Sequence, residues 1–108
     1  MQVLMLATFN ETSSIRDQII RDDELSSYGL YVKSSKKKQR NPGWAKLASL
    51  TGDRFGAINI EWDNGINLLT CRIVTRDLNS PWPIIGEFTT YLLERYEDVV
   101  EAVNIYPR

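Results

Sequence analysis

The chain has 108 residues, of which 43% are hydrophobic and 25% are charged, and its formal net charge is -1. This composition is that of one globular domain with one core, and it excludes a globally disordered chain. The chain contains no histidine and a single cysteine, Cys71. A Ser-His-Asp or Cys-His catalytic site, a histidine-ligated metal and an intrachain disulfide are therefore excluded.

Two strands and a helix are predicted in the first third of the chain. The apolar run from Val3 to Phe9 predicts a buried strand, and it is too short to cross a membrane as a helix. Ser14 and Asp17 fit a capping box, which predicts a helix over about residues 14–26 that ends before Gly29. The residues from Leu30 to Val32 are expected to form the next strand.

The most informative feature is the basic segment from Lys33 to Lys46, which lies in a chain that is otherwise acidic. Residues 33–43 are expected to form a flexible loop within the domain. Clustered cations beside an aromatic residue are typical of a surface that binds phosphate groups, and Trp44 is placed to stack on a base. The alternative is a solvated loop with Trp44 in the core. The cations of the segment are Lys33, Lys36, Lys37, Lys38, Arg40 and Lys46.

A short helix is predicted around residues 44–50, followed by a β-hairpin over about residues 55–76. Asn64 and Gly65 favour a two-residue type I′ loop, because both residue types tolerate the positive φ angles that this turn requires. That register gives the hairpin one apolar face, which supports it. The apolar face would consist of Ile58, Ile60, Leu69, Cys71 and Ile73.

The other hairpin face is polar, and two kinds of site are conceivable there. Arg72 and Arg76, together with Arg54 at the start of the hairpin, are expected to extend the positive surface of the basic segment. Glu61 and Asp63 point to the same side and could form a pair of catalytic carboxylates. The plain alternative is the wet face of an antiparallel sheet. A ribonuclease that works without histidine would draw on Lys46, Arg54, Glu61, Arg72 and Tyr31.

The last part of the chain predicts a helix and a strand. Pro81 and Pro83 mark a turn that leads into a helix over about residues 84–100, which carries an apolar stripe. The residues from Ala102 to Pro107 are expected to form an edge strand. Exposed aromatic and apolar residues in this part predict a protein interface or a homodimer contact. The candidate interface residues are Trp82, Tyr91, Tyr96, Val103 and Ile105.

These patterns predict a small α+β domain with an antiparallel or mixed sheet, in which two helices cover a central hairpin. The expected function is binding rather than catalysis, with nucleic acid or another polyanion as the ligand of the basic segment. The first alternative is a protein-interaction or homo-oligomerisation module, and the second is a small ribonuclease. We expect no cofactor, no metal and no membrane segment, and a cytoplasmic location, since Cys71 is predicted to be an inert core thiol.

Overall fold

A computed structural model of the protein describes residues 2–34, 44–51, 56–76 and 79–107. These residues form six strands, two α-helices and one 3-10 helix. The elements are β1 (Gln2–Phe9), α1 (Ile15–Ile20), the 3-10 helix (Asp23–Tyr28), β2 (Leu30–Ser34), β3 (Ala45–Ser49), β4 (Ala57–Asp63), β5 (Leu68–Val74), α2 (Trp82–Arg95) and β6 (Val100–Tyr106). None of the helices in this described part of the chain is both long and apolar enough to cross a membrane.

The strands form one antiparallel sheet in the order β2-β3-β4-β5-β1-β6. The first strand, β1, lies between β5 and β6, and it is antiparallel to both. Strands β5 and β6 therefore run in the same direction, and α2 connects them across β1. The four strands from β2 to β5 are connected in chain order as a meander. The Cα radius of gyration, 12.8 Å, is that of one compact domain of this length.

All the helices pack on one face of the sheet, because the strand residues alternate between apolar and mixed side chains. In β1 the odd-numbered residues from Val3 to Phe9 are buried, and the even-numbered ones are half-buried. On the helical side, α1 contributes Ile15 and Ile19 to the core, and α2 contributes the fully buried aromatic residues Phe88 and Tyr91. We call the helix-covered face of the sheet the core face and the other the open face.

The hairpin prediction is right about its faces but wrong about its register. Ile60 pairs with Cys71 rather than with Leu69, and Asp63 pairs with Leu68, so the loop contains four residues, 64–67. Asn67 has a φ of 54°, and Asp63 Oδ1 accepts a hydrogen bond from the backbone N–H of Gly65 at 2.9 Å. Such Asx contacts stabilise a longer loop. The register differs by two residues, so each side chain keeps its predicted face.

Three predicted helical segments also differ from the structure. The segment predicted as a helix around residues 44–50 is strand β3, since pairing with β2 and β4 on both sides outweighs its helical pattern. The helix predicted over residues 14–26 is divided at Arg21 and Asp22 into α1 and the 3-10 helix. Helix α2 ends at Arg95, and β6 begins at Val100 within the predicted helix. Two helices covering a hairpin are thus not confirmed: the domain is rich in sheet and has one long helix.

Several local predictions are confirmed. The Ser14 Oγ atom caps α1 by accepting the backbone N–H of Asp17 at 3.1 Å. Gly29, with a φ of 83°, ends the 3-10 helix. The final edge strand is present as β6. Cys71 is fully buried, and burial raises the pKa of its thiol, so it is not available as a nucleophile at neutral pH.

Asp22 connects the 3-10 helix to the end of α2. Its Oδ2 accepts hydrogen bonds from the Tyr91 hydroxyl at 2.8 Å and from Arg95 Nε at 3.0 Å. Its Oδ1 accepts from Arg95 Nη2 and from the backbone N–H of Glu24, both at 2.9 Å. Burial alone would raise the pKa of Asp22, but these donors outweigh it and hold the pKa below its usual value. The Tyr91 and Tyr96 hydroxyls are 3.2 Å apart beside this pair.

Replacing Asp22 with Asn should lower the free energy of unfolding at pH 7 by about 1–3 kcal/mol, because it removes charge-assisted hydrogen bonds. Since the folded pKa of Asp22 is lowered, its contribution is full above the unfolded pKa of about 3.9 and is lost as pH falls through the folded value. The difference between wild type and variant should therefore shrink below about pH 4. Urea unfolding across this range measures it, and a constant difference down to pH 2 would contradict the assignment.

Two glycines offer a matched pair of stability tests. Gly56 has a φ of 90°, and an added Cβ would overlap the carbonyl oxygen of Val74 and lie 2.7 Å from Thr75 Cγ2. Gly56→Ala should destabilise the fold by about 2 kcal/mol or more. Gly86 lies inside α2 with open space around its Cα, so Gly86→Ala should stabilise by about 0.5–1 kcal/mol. Thermal unfolding of both variants measures these effects. Unfolding temperatures that shift in the same direction in both variants would contradict the expected difference between the two glycines.

Candidate nucleic-acid interface

The open face of the sheet brings together residues that are far apart in the sequence. Lys46 on β3 pairs with Asn59 on β4, Asn59 pairs with Arg72 on β5, and Arg72 pairs with Leu4 on β1. Partners in register point to the same side of an antiparallel sheet. Part of the basic segment and the polar face of the hairpin therefore form one surface, and the sequence alone left open whether they would.

A shallow groove lies at one end of this surface. Its rim carries three cations, Lys33, Lys46 and Arg76, and we call it the basic groove. Among the residues that the structure describes, none that lines the groove is acidic. Its volume is about 230 Å³, which is below the range of about 300–1,000 Å³ that encloses a drug-sized ligand. The remaining lining residues are Ala48, Gly56, Ala57, Asn59 and Val74.

The basic groove exists because three small residues, Ala48, Gly56 and Ala57, form its floor. Ala48 pairs with Ala57, and Ala57 pairs with Val74, so two alanines stand side by side where most cross-strand pairs are larger. Lys33 lies at an irregularity in the pairing of β2 with β3, between Val32 and Ser34. Such a bulge changes the direction of a side chain at a sheet edge. Sequence reasoning missed the floor residues, because their role appears only when β3 and β4 are placed side by side.

Trp44 is half-buried at the start of β3, and its ring is already in contact with a cation. The guanidinium carbon of Arg72 lies 5.1 Å from the centroid of the indole ring. This is a cation–π contact, and it holds Arg72 against the sheet. The ring face that Arg72 covers is therefore not available to stack on a base. Trp44 instead holds Arg72 in position beside the basic groove.

A buried arginine on the core side fixes the position of Trp44. Arg16 of α1 is 6% exposed, and its Nη2 donates a hydrogen bond to the carbonyl oxygen of Trp44 at 2.8 Å. Its Nη1 bonds Asp17 Oδ1 at 2.7 Å. A charge-assisted bond of this kind is stronger than a neutral one. Arg16 thus attaches α1 to the chain two residues before Lys46, a residue of the basic groove. No pattern in the sequence indicated this role for Arg16.

The two carboxylates of the hairpin lie farther along the open face. Glu61 pairs with Thr70, one side-chain position beyond the pair of Asn59 and Arg72. Asp63 is exposed, and its carboxylate is bonded to the hairpin loop. Asp63 therefore has a structural role in the hairpin loop, and its carboxylate is not free to act together with that of Glu61. Glu61 does share the open face with Arg72 and Lys46, and a ribonuclease site built from these three residues would require this.

Some predicted site residues lie elsewhere or outside the described part of the chain. Tyr91 is fully buried and Tyr96 is 9% exposed, and both hydroxyls are bonded inside the domain, so neither can serve in an interface. Trp82 is 49% exposed, Ile105 is 39% exposed and Val103 is half-buried on β6. The predicted cations outside the described residues are Lys36, Lys37, Lys38, Arg40 and Arg54.

The described residues contain no group of three or more acidic, cysteine or histidine side chains that could hold a metal ion. Comparisons with protein families, with curated proteins and with solved structures found no match to this chain. The geometry of the open face is therefore the basis for proposing a function.

Proposed function

We propose that this protein binds single-stranded nucleic acid across the open face of its sheet, with phosphate groups held at the basic groove. The observation that supports the proposal is that four cations, which come from β2, β3, β5 and the residues just after β5, lie together on one face of the sheet. Lys33, Lys46 and Arg76 surround the groove, and Arg72 stands in the same cross-strand row as Lys46. Clustered Lys and Arg on one face is the electrostatic footprint of a nucleic-acid binder.

The distribution of acidic residues supports this orientation. Asp23, Glu24, Glu94 and Glu97 are exposed on the helical side or next to it, in the 3-10 helix, in α2 and just after α2. Among the described residues, the open face carries four cations and two carboxylates, Glu61 and Asp63, so the two sides of the sheet differ in sign of charge. A polyanion that approaches the protein is attracted to the open face and repelled from the helices.

The apolar character of the open face favours a single strand over a duplex. Tyr31 and Val74, which are 39% and 42% exposed, lie in one cross-strand row with the alanines of the groove floor. Leu4 and Leu6 are half-buried on the neighbouring strand β1. Unpaired bases can pack on such side chains, whereas the bases of a duplex are stacked on each other and present phosphates instead.

The described ends of the basic segment lie next to the same site. It leaves the described structure at Ser34 and enters it again at Trp44, and Ser34 pairs with Lys46 beside the basic groove. The four cations from Lys36 to Arg40 are thus joined at both ends to the proposed site. They would add phosphate contacts without any requirement for base identity.

The variant Lys46→Ala/Arg76→Ala should bind single-stranded DNA or RNA more weakly than wild type. Each phosphate contact that is lost should also reduce the slope of log affinity against log salt by about 0.7. Fluorescence anisotropy with labelled oligonucleotides at several salt concentrations measures both effects, with a duplex of equal length beside them. The variant in which Lys36, Lys37, Lys38 and Arg40 are all Ala should lose affinity in the same way.

The matched control is Arg21→Ala. It removes one cation, as Lys46→Ala or Arg76→Ala does singly, but Arg21 ends α1 on the helical side, so its affinity and salt slope should equal those of wild type. Equal weakening by Arg21→Ala would mean that only net charge matters. An unchanged affinity in the Lys46→Ala/Arg76→Ala variant, or no binding at about 100 mM salt, would refute the proposed site.

The same assay separates binding from cleavage. We expect labelled RNA to stay intact during incubation with wild type, because the Asp63 carboxylate is bonded to the hairpin loop and is not free to act with Glu61. If RNA is cut, the activity must disappear in Glu61→Gln and in Arg72→Ala for the ribonuclease alternative to stand. Cleavage that survives both variants would come from a contaminant.

A further inference from the structure

The two edges of the sheet are protected to different degrees. Edge strand β2 is short, its pairing is irregular near Val32, and Lys33 is exposed on it, and these are the features that keep an edge from pairing with another strand. The other edge strand, β6, has seven residues and pairs with β1 in unbroken register from Ala102 to Tyr106. It contains no Lys and no Pro, and Pro107 follows its end.

Nothing in the described part of the chain pairs with the outer side of β6. A strand at a sheet edge carries backbone N–H and C=O groups that are free to pair with a further strand. The pairing of β6 with β1 shifts register between Ala102 and Val100, but from Ala102 to Tyr106 the strand is regular and uncharged, so this part is well suited to do so. Glu101 is its only charged residue.

An apolar stripe on α2 lies beside this edge. Trp82 and Leu93 are 49% and 48% exposed, and with Thr89 between them they follow the spacing of one helical face. Thr89 Oγ1 lies 3.9 Å from Met5 Sδ, and Met5 pairs with Ile105 of β6, so this helical face is directed toward the β6 side of the domain. Ile105, which is 39% exposed, lies on the core face next to it.

We infer that two copies of this chain pair through β6 into one continuous twelve-stranded antiparallel sheet. The occupant is a second copy because the strand is self-complementary about Val103. In that register Ala102 faces Asn104 over the regular part of β6, and Glu101, its one charged residue, comes opposite Ile105, so no like charges meet. The two-fold axis is perpendicular to the sheet, which places both α2 helices on the same side, where the stripes of Trp82 and Leu93 can cover each other.

This inference does not depend on nucleic-acid binding. The basic groove is built on β2 to β5, and the pairing edge is two strands away from β5, beyond β1. Dimerisation would nevertheless place two open faces side by side on the same surface. Each face could then contact the same strand of nucleic acid.

The test uses opposite charges on β6. The variant Ala102→Lys/Asn104→Lys places lysines opposite lysines in the pair, and Ala102→Glu/Asn104→Glu places glutamates opposite glutamates. Both positions are exposed on the open face of the single chain, so the fold should survive, and circular dichroism checks this. Light scattering after size-exclusion chromatography, over about 1–100 µM protein, measures the mass.

We expect a dimer for wild type, a dimer dissociation constant raised at least about tenfold for each charged variant, and a restored dimer when the two variants are mixed. Leu93→Lys, which leaves the strand unchanged, should weaken the dimer as well. A wild-type monomer at every concentration would overturn the inference. A dimer that is unaffected by both charged variants would also overturn it, because the contact would then lie on another surface.

Discussion

The structure depends on one constraint: a six-stranded antiparallel sheet with helices on only one face. Each strand must then present an apolar residue at every second position to the core, and the positions between are left in contact with water. Val3, Met5 and Ala7 are fully buried by this rule, while Leu4 and Leu6 between them are not. The fold therefore creates a second broad surface that no element of the described chain covers, and the candidate site lies on it.

That surface combines two properties that usually occur apart. A wet sheet face is normally polar, yet here it carries leucine, valine and tyrosine between its cations. Charge alone would suit any polyanion, and apolar exposure alone would suit any protein partner. A ligand with phosphates along one side and unsaturated rings along the other matches both. Arg72 illustrates the combination, because its charge lies against the indole ring of Trp44 rather than free in solvent.

The sequence predicted features that depend on residues close together in the chain, and it missed features that depend on contacts between distant segments. The cap at Ser14, the end of the 3-10 helix at Gly29 and the faces of β4 and β5 depend on neighbours in the chain or on the period of a strand, and they were predicted. The loop at residues 64–67 was mistaken because Asn-Gly favours a shorter turn, and the contact of Asp63 with Gly65 is invisible in the pattern.

Interactions between distant segments account for the rest. The segment of β3 has alanine and leucine at helical spacing, and only its two partner strands make it extended. The cations of the candidate site were identified individually, but their convergence depends on Ala48 and Ala57 being neighbours, which no local signal shows. Tyr91 and Tyr96 looked like surface residues because tyrosine often is, and their burial follows from the polar partner that Asp22 provides.

The position of β1 has a consequence for how the chain reaches its fold. It is the first strand in the sequence, but both of its neighbours come late: Gln2 pairs with Val74, and Leu4 pairs with Tyr106. The side of the sheet that contains β1 and β6 therefore cannot be completed until β6 has been made, while the meander from β2 to β5 can form earlier from local contacts. Chains dominated by such long-range pairing fold in milliseconds to seconds rather than in microseconds. During synthesis, the apolar strand β1 has no partner strand until β5 has been made.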